Sequence, residues 1–361
     1  MKIIFGGGGS GGHIVPALAV AEVFRGLGAD IAFVGNINSM EEHLCHAAKI
    51  PFYWIKVQKL YRNFTWKHLL FPYHFAASTL KARYVLKVNR PDAVFCTGGF
   101  VSGPLALAAI NMNIPLFFHE SNSYPGLTTK LFASRCQRVY TAFDSVAKHL
   151  KGARTHKVGI PILPFSSSEM PVAWESLNLN PHSSKIIIVG GSQGSAAINS
   201  CISEILDDLL QMGLEVIWQT GKSTFHKYKA LHQNRKGLYI FDFCTFIPQL
   251  YHNAQLAITR AGAMTIAELE NAKLPSLLIP LPTSAENHQY YNAQEQVAKG
   301  FSLLLEQKDL SPQSLLGKIQ ELKQKHSSIQ TNMRAIGKNL AAEHIAHDIN
   351  KHLNKEQHNV R

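Results

Sequence analysis

No apolar run in this chain approaches the roughly 18 residues that a bilayer crossing requires. Yet 46% of its 361 residues are hydrophobic and only 17% are charged, which excludes a disordered chain and leaves room for more than one buried core. Cysteine is scarce. Cys45, Cys96, Cys136, Cys201 and Cys244 are scattered, odd in number and never spaced as Cys-x-x-Cys, so neither a disulfide framework nor a paired-thiol metal site is expected. A reducing cytoplasm is the simple inference. The start, Met1 to Phe5, runs directly into a strand pattern and lacks the long apolar stretch and small-residue cleavage site of a secretory signal. No His-Glu-x-x-His occurs. His344, His347 and Asp348 share a helix face, but the stripe Leu340, Ile345, Ile349, Leu353 beside them marks an ordinary amphipathic helix, and no metal is expected.

Acidic residues are missing from one long interval. Between Glu42 and Asp92 there is none, while Lys49, Lys56, Lys59, Arg62, Lys67, Lys81, Arg83, Lys87 and Arg90 all fall there. They contribute much of the net charge of +12. Interleaved are Phe52, Tyr53, Trp54, Tyr61, Phe64, Trp66, Leu69, Leu70, Phe71 and Tyr73. Cations with aromatic and Leu side chains suit a peripheral membrane surface. The same residue types serve RNA binding, or form a solvated face over core aromatics. Composition leaves the three open.

What is present most conspicuously is a repeated opening. Residues 2–13 read Lys-Ile-Ile-Phe-Gly-Gly-Gly-Gly-Ser-Gly-Gly-His, and residues 185–195 read Lys-Ile-Ile-Ile-Val-Gly-Gly-Ser-Gln-Gly-Ser. Each is an apolar strand that breaks into a Gly-rich turn and then a helix, bringing bare backbone N–H groups to a helix mouth where an anion can sit. Two such units predict two Rossmann-like α/β domains facing each other across a cleft. Strands are expected at Lys2–Phe5, Asp30–Val34, Ala93–Thr97, Leu116–His119, Arg138–Thr141 and Thr155–Val158. In the second half they are expected at Ile186–Val189, Glu215–Gln219, Leu238–Phe241, Leu256–Thr259, Ser276–Ile279 and Ser302–Leu305. Intervening helical patterns make both sheets parallel. One helix is expected over Val15–Leu27 with Pro16 in its first turn, and the tail from Ser311 reads as helical. Pro161, Pro164, Pro171 and Pro181 mark 159–184 as a linker.

The first loop fits Gly-x-Gly-x-x-Gly at Gly6, Gly8 and Gly11. A dehydrogenase would follow its second strand with an acid for the ribose, and here that place reads Phe33-Val34-Gly35-Asn36, which argues against NAD. Gly221-Lys222-Ser223 resembles the end of a P-loop, but Val216 stands where its first Gly is required. His13 follows the first loop directly; it is either a helix-terminal polar residue or a general base beside an anion cradle. A second Gly cluster, Thr97 to Pro104, also follows a strand, and two neighbouring cradles suit a diphosphate. His119-Glu120-Ser121-Asn122 end another strand, as a buried capping cluster or as groups facing a ligand crevice. In the second half, Gly190 to Gly194 form a third cradle, Arg260 to Thr265 turn a strand into a helix, and Glu268 on that helix can take both ribose hydroxyls. His288 and Gln289 can read sugar hydroxyls.

Together these residues resemble the MurG family, GT-B glycosyltransferases of bacterial cell-wall synthesis. The resemblance runs from Ile3 to about Gln307. It rests on Gly8-Gly-Ser-Gly-Gly-His13 with Pro16, Gly98-Gly-Phe-Val-Ser-Gly-Pro104, His119-Glu-Ser-Asn122 with Gly126-Leu-Thr, and Gly190-Gly-Ser-Gln-Gly194 with Asn199. Gln219-Thr-Gly-Lys222, Arg260-Ala-Gly-Ala-Met-Thr-Ile-Ala-Glu268 and His288-Gln-Tyr-Tyr-Asn-Ala293 complete it. The family implies inverting transfer of N-acetylglucosamine from its UDP sugar to the 4-hydroxyl of the muramoyl sugar of lipid I, giving lipid II, without a cofactor. By the resemblance, residues 1–163 form an acceptor and membrane-facing domain and 164–340 a UDP-sugar domain, with a helix at about 341–361 packing back on the first.

The implied base is His13 or Glu120. The acceptor diphosphate falls to Gly9, Ser10, Gly11, Gly98, Gly99, Phe100 and Ser102. The donor falls to Ser10, Gly11, Gly12, Asn122, Ser192, Gln193, Asn199, Ile247, Arg260, Ala263, Met264, Thr265, Glu268, His288 and Gln289. A membrane surface is expected from Lys59, Arg62, Trp66, Lys67, Leu69, Leu70, Phe71 and Lys81. The implied setting is peripheral, on the cytoplasmic face of the bacterial inner membrane. UDP-N-acetylglucosamine, lipid I, anionic lipid and other cell-wall synthesis and division proteins are the expected partners, and nucleic acid is not. Four departures stand out. Leu163 occupies a usual Arg position, Phe100 replaces a common Tyr, Ser121 replaces a Gln, and Ile247 to Arg260 is shorter than in several relatives. The rivals are a transferase of this fold with another acceptor and a non-catalytic membrane scaffold.

Overall fold

The computed structural model describes residues 1–58, 70–163, 172–191, 193–244 and 246–359. The chain divides into two compact units, Met1–Pro164 with Asn339–Arg361, and Phe165–Lys338.

In the first unit strands and helices alternate: β1 (Lys2–Gly6), α1 (Gly11–Gly26), β2 (Asp30–Asn36), α2 (Met40–Ala47), β3 (Phe52–Ile55), α3 (Phe71–Asn89), β4 (Ala93–Cys96), α4 (Gly99–Asn111), β5 (Leu116–Glu120), α5 (Leu127–Phe132), β6 (Arg138–Thr141) and β7 (Thr155–Lys157). The strands form one parallel sheet in the order β3-β2-β1-β4-β5-β6-β7. Its strands are apolar on both faces because helices cover both. Ile3, Phe5, Phe33, Phe95, Phe117 and Tyr140 lie within the same core cluster.

The second unit repeats the plan: β8 (Ser184–Val189), α6 (Ala196–Glu204), α7 (Leu206–Gln211), β9 (Leu214–Gln219), α8 (Phe225–Leu231), β10 (Leu238–Phe241), α9 (Ile247–His252), β11 (Leu256–Thr259), α10 (Ala263–Ala272), β12 (Ser276–Leu278), α11 (His288–Ala298), β13 (Ser302–Leu304), α12 (Pro312–Gln324) and α13 (His326–Arg334). Its parallel sheet runs β10-β9-β8-β11-β12-β13. Each sheet reverses its winding once, between β1 and β4 and between β8 and β11. A ligand crevice opens beyond the carboxyl ends of strands at such a reversal, and all four of those strands end in the Gly-rich or Arg-Ala-Gly turns.

The last helix, α14 (Ala341–Asn359), belongs to the first unit. Ala342, Ile345, Ala346, Ile349 and Leu353 join the α1 side of that core, each large side chain contributing about 1.5–3 kcal/mol on full burial. Asp348 fixes its rotation, taking Arg138 Nη1 at 2.9 Å and Tyr140 Oη at 2.7 Å.

Four local features differ from the sequence expectation. Phe52–Ile55 is a strand, paired along β2 at the sheet edge, where Trp54 stays half exposed; four aromatic and apolar residues without alternation carry no strand period. α1 begins at Gly11, so Pro16 sits in its second turn and frees the carbonyl of Gly12. α4 likewise begins at Gly99, with Pro104 inside it. The tail is three helices, with Gly337 at φ 67° in the break before α14.

Candidate active site

In the first unit the turns after β1 and β4 lie against each other. A Cβ on Gly99, at φ 77°, would stand 2.1 Å from the carbonyl oxygen of Gly8, so only Gly allows the two loops to touch. Gly9 and Ser10 are exposed, and Gly11, Gly12 and His13 are half-buried. The first-turn N–H groups of Gly11 and Gly12 have no intrahelical acceptor. His13 Nδ1 lies 2.8 Å from the Thr97 carbonyl oxygen. A carbonyl only accepts, so Nδ1 carries the proton, and in that tautomer of the neutral imidazole the lone pair is at Nε2. Thr97 Oγ1 in turn donates to the His13 carbonyl at 2.5 Å. Phe100 lies over Gly9, where a Cβ would meet its ring at 2.6 Å. Ser102, expected on the diphosphate, is fully buried; its hydroxyl donates inward to the Gly98 carbonyl at 2.7 Å and staples the loop from behind.

Glu120 is buried and fully engaged. Oε1 accepts from Asn122 N at 3.1 Å and Asn122 Nδ2 at 3.2 Å, and Oε2 accepts from Gly126 N at 2.9 Å and Thr129 Oγ1 at 2.7 Å. Four donors occupy the sites a carboxylate offers. His119 beside it donates from Nε2 to the Gly159 carbonyl at 2.8 Å and accepts from Ser121 Oγ at 3.2 Å. Burial pushes its imidazole down to about 4, so it is neutral.

The sequence places no acid at the end of β2, but the fold brings one there. Glu41, 1% exposed, reaches back from α2 to Asn36 N at 3.1 Å, and its carboxylate would meet a Cβ on Gly8 at 2.6 Å. The ribose corner of a dinucleotide fold is filled by the protein itself.

In the second unit the turn after β8 is held by the turn after β9. A Cβ on Gly194, at φ 80°, would lie 2.0 Å from the Thr220 carbonyl oxygen. Gln219 Nε2 donates to the Gly191 carbonyl at 3.0 Å. Asn199, expected at the donor, is wholly buried. Its Nδ2 donates to the Thr220 carbonyl at 2.8 Å and Thr224 Oγ1 at 3.0 Å, and its Oδ1 accepts from Trp218 Nε1 at 3.0 Å. It shapes the loop from behind. Arg260 is also buried and binds protein oxygens: Ile279 O at 3.0 Å, Pro280 O at 3.1 Å, Ser195 Oγ at 2.7 Å and Gln307 Oε1 at 2.6 Å.

α6 opens on Ser195, whose hydroxyl caps Ile198 N at 3.3 Å, and α10 opens on Gly262 with Ala263, Met264 and Thr265 in its first turn. Glu268 follows one turn on. It is half-buried, makes no hydrogen bond among the described residues, and its burial pushes the carboxyl up to about 7. His288 opens α11 with Nδ1 2.6 Å from the Ala285 carbonyl. Gln289 Oε1 accepts from Leu281 N at 2.9 Å. Asn292 Nδ2 donates to the Ala261 carbonyl at 3.2 Å, tying α11 to the turn before α10. Ile247 opens α9 and is half-buried, and Gln193 is exposed. Ser192, Lys59, Arg62, Trp66, Lys67 and Leu69 lie outside the described residues.

Glu41, Thr97, Thr129, Ser195, Asn292 and Gln307 escaped sequence reasoning as site residues. Thr97 and Ser195 adjoin Gly turns and were within reach of it. Thr129 and Asn292 lie close to Glu120 and Gln289 in sequence, on α5 and α11, while Glu41 and Gln307 come from other elements.

Residues 3–141 match the Glycosyltransferase family 28 N-terminal domain and residues 185–352 the Glycosyltransferase family 28 C-terminal domain. The chain is 35% identical over 375 residues to the UDP-N-acetylglucosamine--N-acetylmuramyl-(pentapeptide) pyrophosphoryl-undecaprenol N-acetylglucosamine transferase of Francisella tularensis subsp. tularensis, with 98% of each chain covered. The chain belongs to glycosyltransferase family 28, in its MurG branch. The protein of the same name from Carboxydothermus hydrogenoformans is 32% identical over 318 residues, 86% of each chain. The crystal structure of Acinetobacter baumannii MurG superposes with a TM-score of 0.75 at 26% identity, covering 97% of this chain and 99% of that one. As a family 28 member the chain is a glycosyltransferase built from two GT-B-type parallel-sheet units.

Proposed function

We propose that the chain transfers N-acetylglucosamine from UDP-N-acetylglucosamine to the 4-hydroxyl of the muramoyl sugar of lipid I, with inversion, giving lipid II. The observation that carries the mechanism is the bond from His13 Nδ1 to the Thr97 carbonyl. It leaves Nε2 as the acceptor of the proton from the attacking hydroxyl. As that oxygen bonds to the anomeric carbon from the face opposite UDP, the carbon's bond to the β-phosphate oxygen breaks and UDP leaves with the electron pair. The transition state has oxocarbenium character. A positioned base contributes about 10²–10⁴-fold. Glu120, with its oxygens taken by four donors, serves to hold Asn122 and the turn to Gly126 rather than to move the proton.

The turns holding Gly9 to Gly12 and Gly98 to Phe100 are assigned to the acceptor diphosphate. In the second unit the starts of α6 and α10 face the charge that grows on departing UDP, where helix N-termini stabilise anions. Glu268 is assigned to the ribose hydroxyls, Gln289 and His288 to the sugar. Gln289 suits that role because Leu281 N orients its amide.

Lipid I is membrane-anchored, and α3 offers a surface for that. Ser78, Ala82, Val85 and Leu86 face the core, while Tyr73, Leu80, Tyr84 and Val88 are 61–71% exposed on the opposite face. Lys81 flanks them, its Nζ 4.9 Å from the Trp54 ring and 5.6 Å from Tyr84. Apolar insertion edged by cations fits an anionic bilayer surface. No helix among the described residues is long and apolar enough to cross a membrane.

The test is transfer of labelled N-acetylglucosamine from the UDP sugar to lipid I in parallel with soluble sugar acceptors. Product with lipid I alone supports the assignment. Equal transfer to soluble acceptors identifies a different transferase, and no transfer with intact UDP binding identifies a scaffold.

A further inference from the structure

Arg260 carries a charge that no described residue neutralises. It is 9% exposed, and four of its five N–H groups end on neutral oxygens. Among the described residues no carboxylate lies within 4.0 Å of it. A buried charge without a partner is unfavourable unless something else supplies the countercharge. Other buried or half-buried cations here are handled differently. Arg138 is paired with Asp348 at 2.9 Å, and Lys185 has Glu215 at 4.0 Å together with three backbone carbonyls.

The position of this charge is informative. Arg260 closes β11 at the winding reversal of the second sheet. Through Ser195 Oγ it holds the cap of α6, and through Ile279 O and Pro280 O it holds the segment after β12. The next residue, Leu281, orients Gln289. One guanidinium therefore links the turn assigned to the diphosphate with the residue assigned to the sugar.

We propose that Arg260 is a positioning residue whose unneutralised charge is completed by the donor diphosphate, acting through the Ser195 cap and the field beneath the turn instead of by direct contact. This rests on the donor-site assignment above. Its mark is a dependence on charge that a purely structural clamp does not have.

Gln307 gives access to that difference because its Oε1 lies 2.6 Å from Arg260 Nη2. Gln307→Glu keeps an acceptor there and supplies the missing carboxylate. Calorimetry is expected to show UDP binding at least tenfold weaker, with the melting temperature held or raised. Uridine, which has no phosphate, should bind as it does to wild type by ligand-observed NMR. Gln307→Ala removes one bond but no charge and should change UDP affinity less than about threefold. UDP affinity within twofold of wild type in Gln307→Glu overturns the proposal, as does an equal loss of uridine. Glu268→Ala is measured alongside. If it weakens UDP while Gln307→Glu does not, the donor site stands and this inference falls. If neither matters, the donor-site assignment itself has failed.

Discussion

UDP binding should depend on pH through Glu268. Its carboxyl is half-buried on α10, unbonded among the described residues, and pushed up to about 7 by desolvation. Ribose hydroxyls donate to the ionised form, so the binding-competent state is present above pH 7 and is lost as pH falls through it. The ionised fraction is about 0.9 at pH 8 and about 0.1 at pH 6, so affinity should drop roughly tenfold across that span, or about 1.4 kcal/mol. Binding near pH 7 should release about half a proton from this group, read by calorimetry in buffers of different ionisation enthalpy. The terminal phosphate of UDP titrates nearby, at about 6, so the informative quantity is the difference between wild type and Glu268→Gln. The variant should bind about ten- to a hundredfold more weakly at pH 8, having lost charge-assisted bonds of about 1.5–3 kcal/mol. It should also show only the ligand's own titration. Identical pH profiles for the two proteins would refute the reasoning.

His13→Ala should lower turnover by about 10²–10⁴ at saturating substrates with UDP affinity unchanged; near-normal turnover would remove Nε2 as the base. Glu120→Gln places an amide donor against N–H and O–H donors and should release Asn122, seen as a drop in turnover with a lowered melting temperature; a stable variant with unchanged UDP affinity and a shifted pH–rate profile would instead mark Glu120 as the proton acceptor. Neutralising Lys81 and Lys87 to Gln should weaken binding to anionic vesicles by roughly thirtyfold, at about 1 kcal/mol per cation, and Tyr73, Leu80 and Tyr84 to Ser should remove the part that survives high salt; vesicle co-sedimentation at wild-type level in both variants would free α3 from that role. His119 is neutral and buried with its imidazole lowered to about 4, so the stability it contributes is full above pH 6.5 and is lost as pH falls from there toward 4, by about 3 kcal/mol in all. Denaturant titrations from pH 7 to 4 should show that loss, reduced in His119→Gln.

The architecture was legible because it is written in local patterns. Apolar runs ending in glycine, twice over, are a statement about backbone: only Gly permits the approach of Gly99 to Gly8 and of Gly194 to Thr220. Repeated strand–helix alternation leaves a parallel, doubly wound sheet as the one arrangement with short right-handed connections. The strand missed, Phe52–Ile55, has no period of its own and is a strand because β2 offers it an edge.

What tertiary structure alone decided is which motif side chains are bound to the protein behind the loops and which are not. Asn199, Arg260 and Ser102 sit in motifs of the same kind as those that hold Glu268 and His13, and nothing local separates them. Burial and the other end of each hydrogen bond make the distinction: Trp218 for Asn199 and Gln307 for Arg260 lie well away in sequence, while Gly98 for Ser102 lies within the same turn. The same holds for Glu41, an unremarkable acid on a short helix until the fold sets its carboxylate at Asn36 and under Gly8. The sequence by itself determined where backbone can turn and offer N–H groups, since that depends on residue type at one position. The tautomer of His13 and the burial of Arg260 among neutral oxygens were decided by tertiary structure, because a protonation or hydrogen-bonding state belongs to a pair of groups and only the folded chain brings the second one into place.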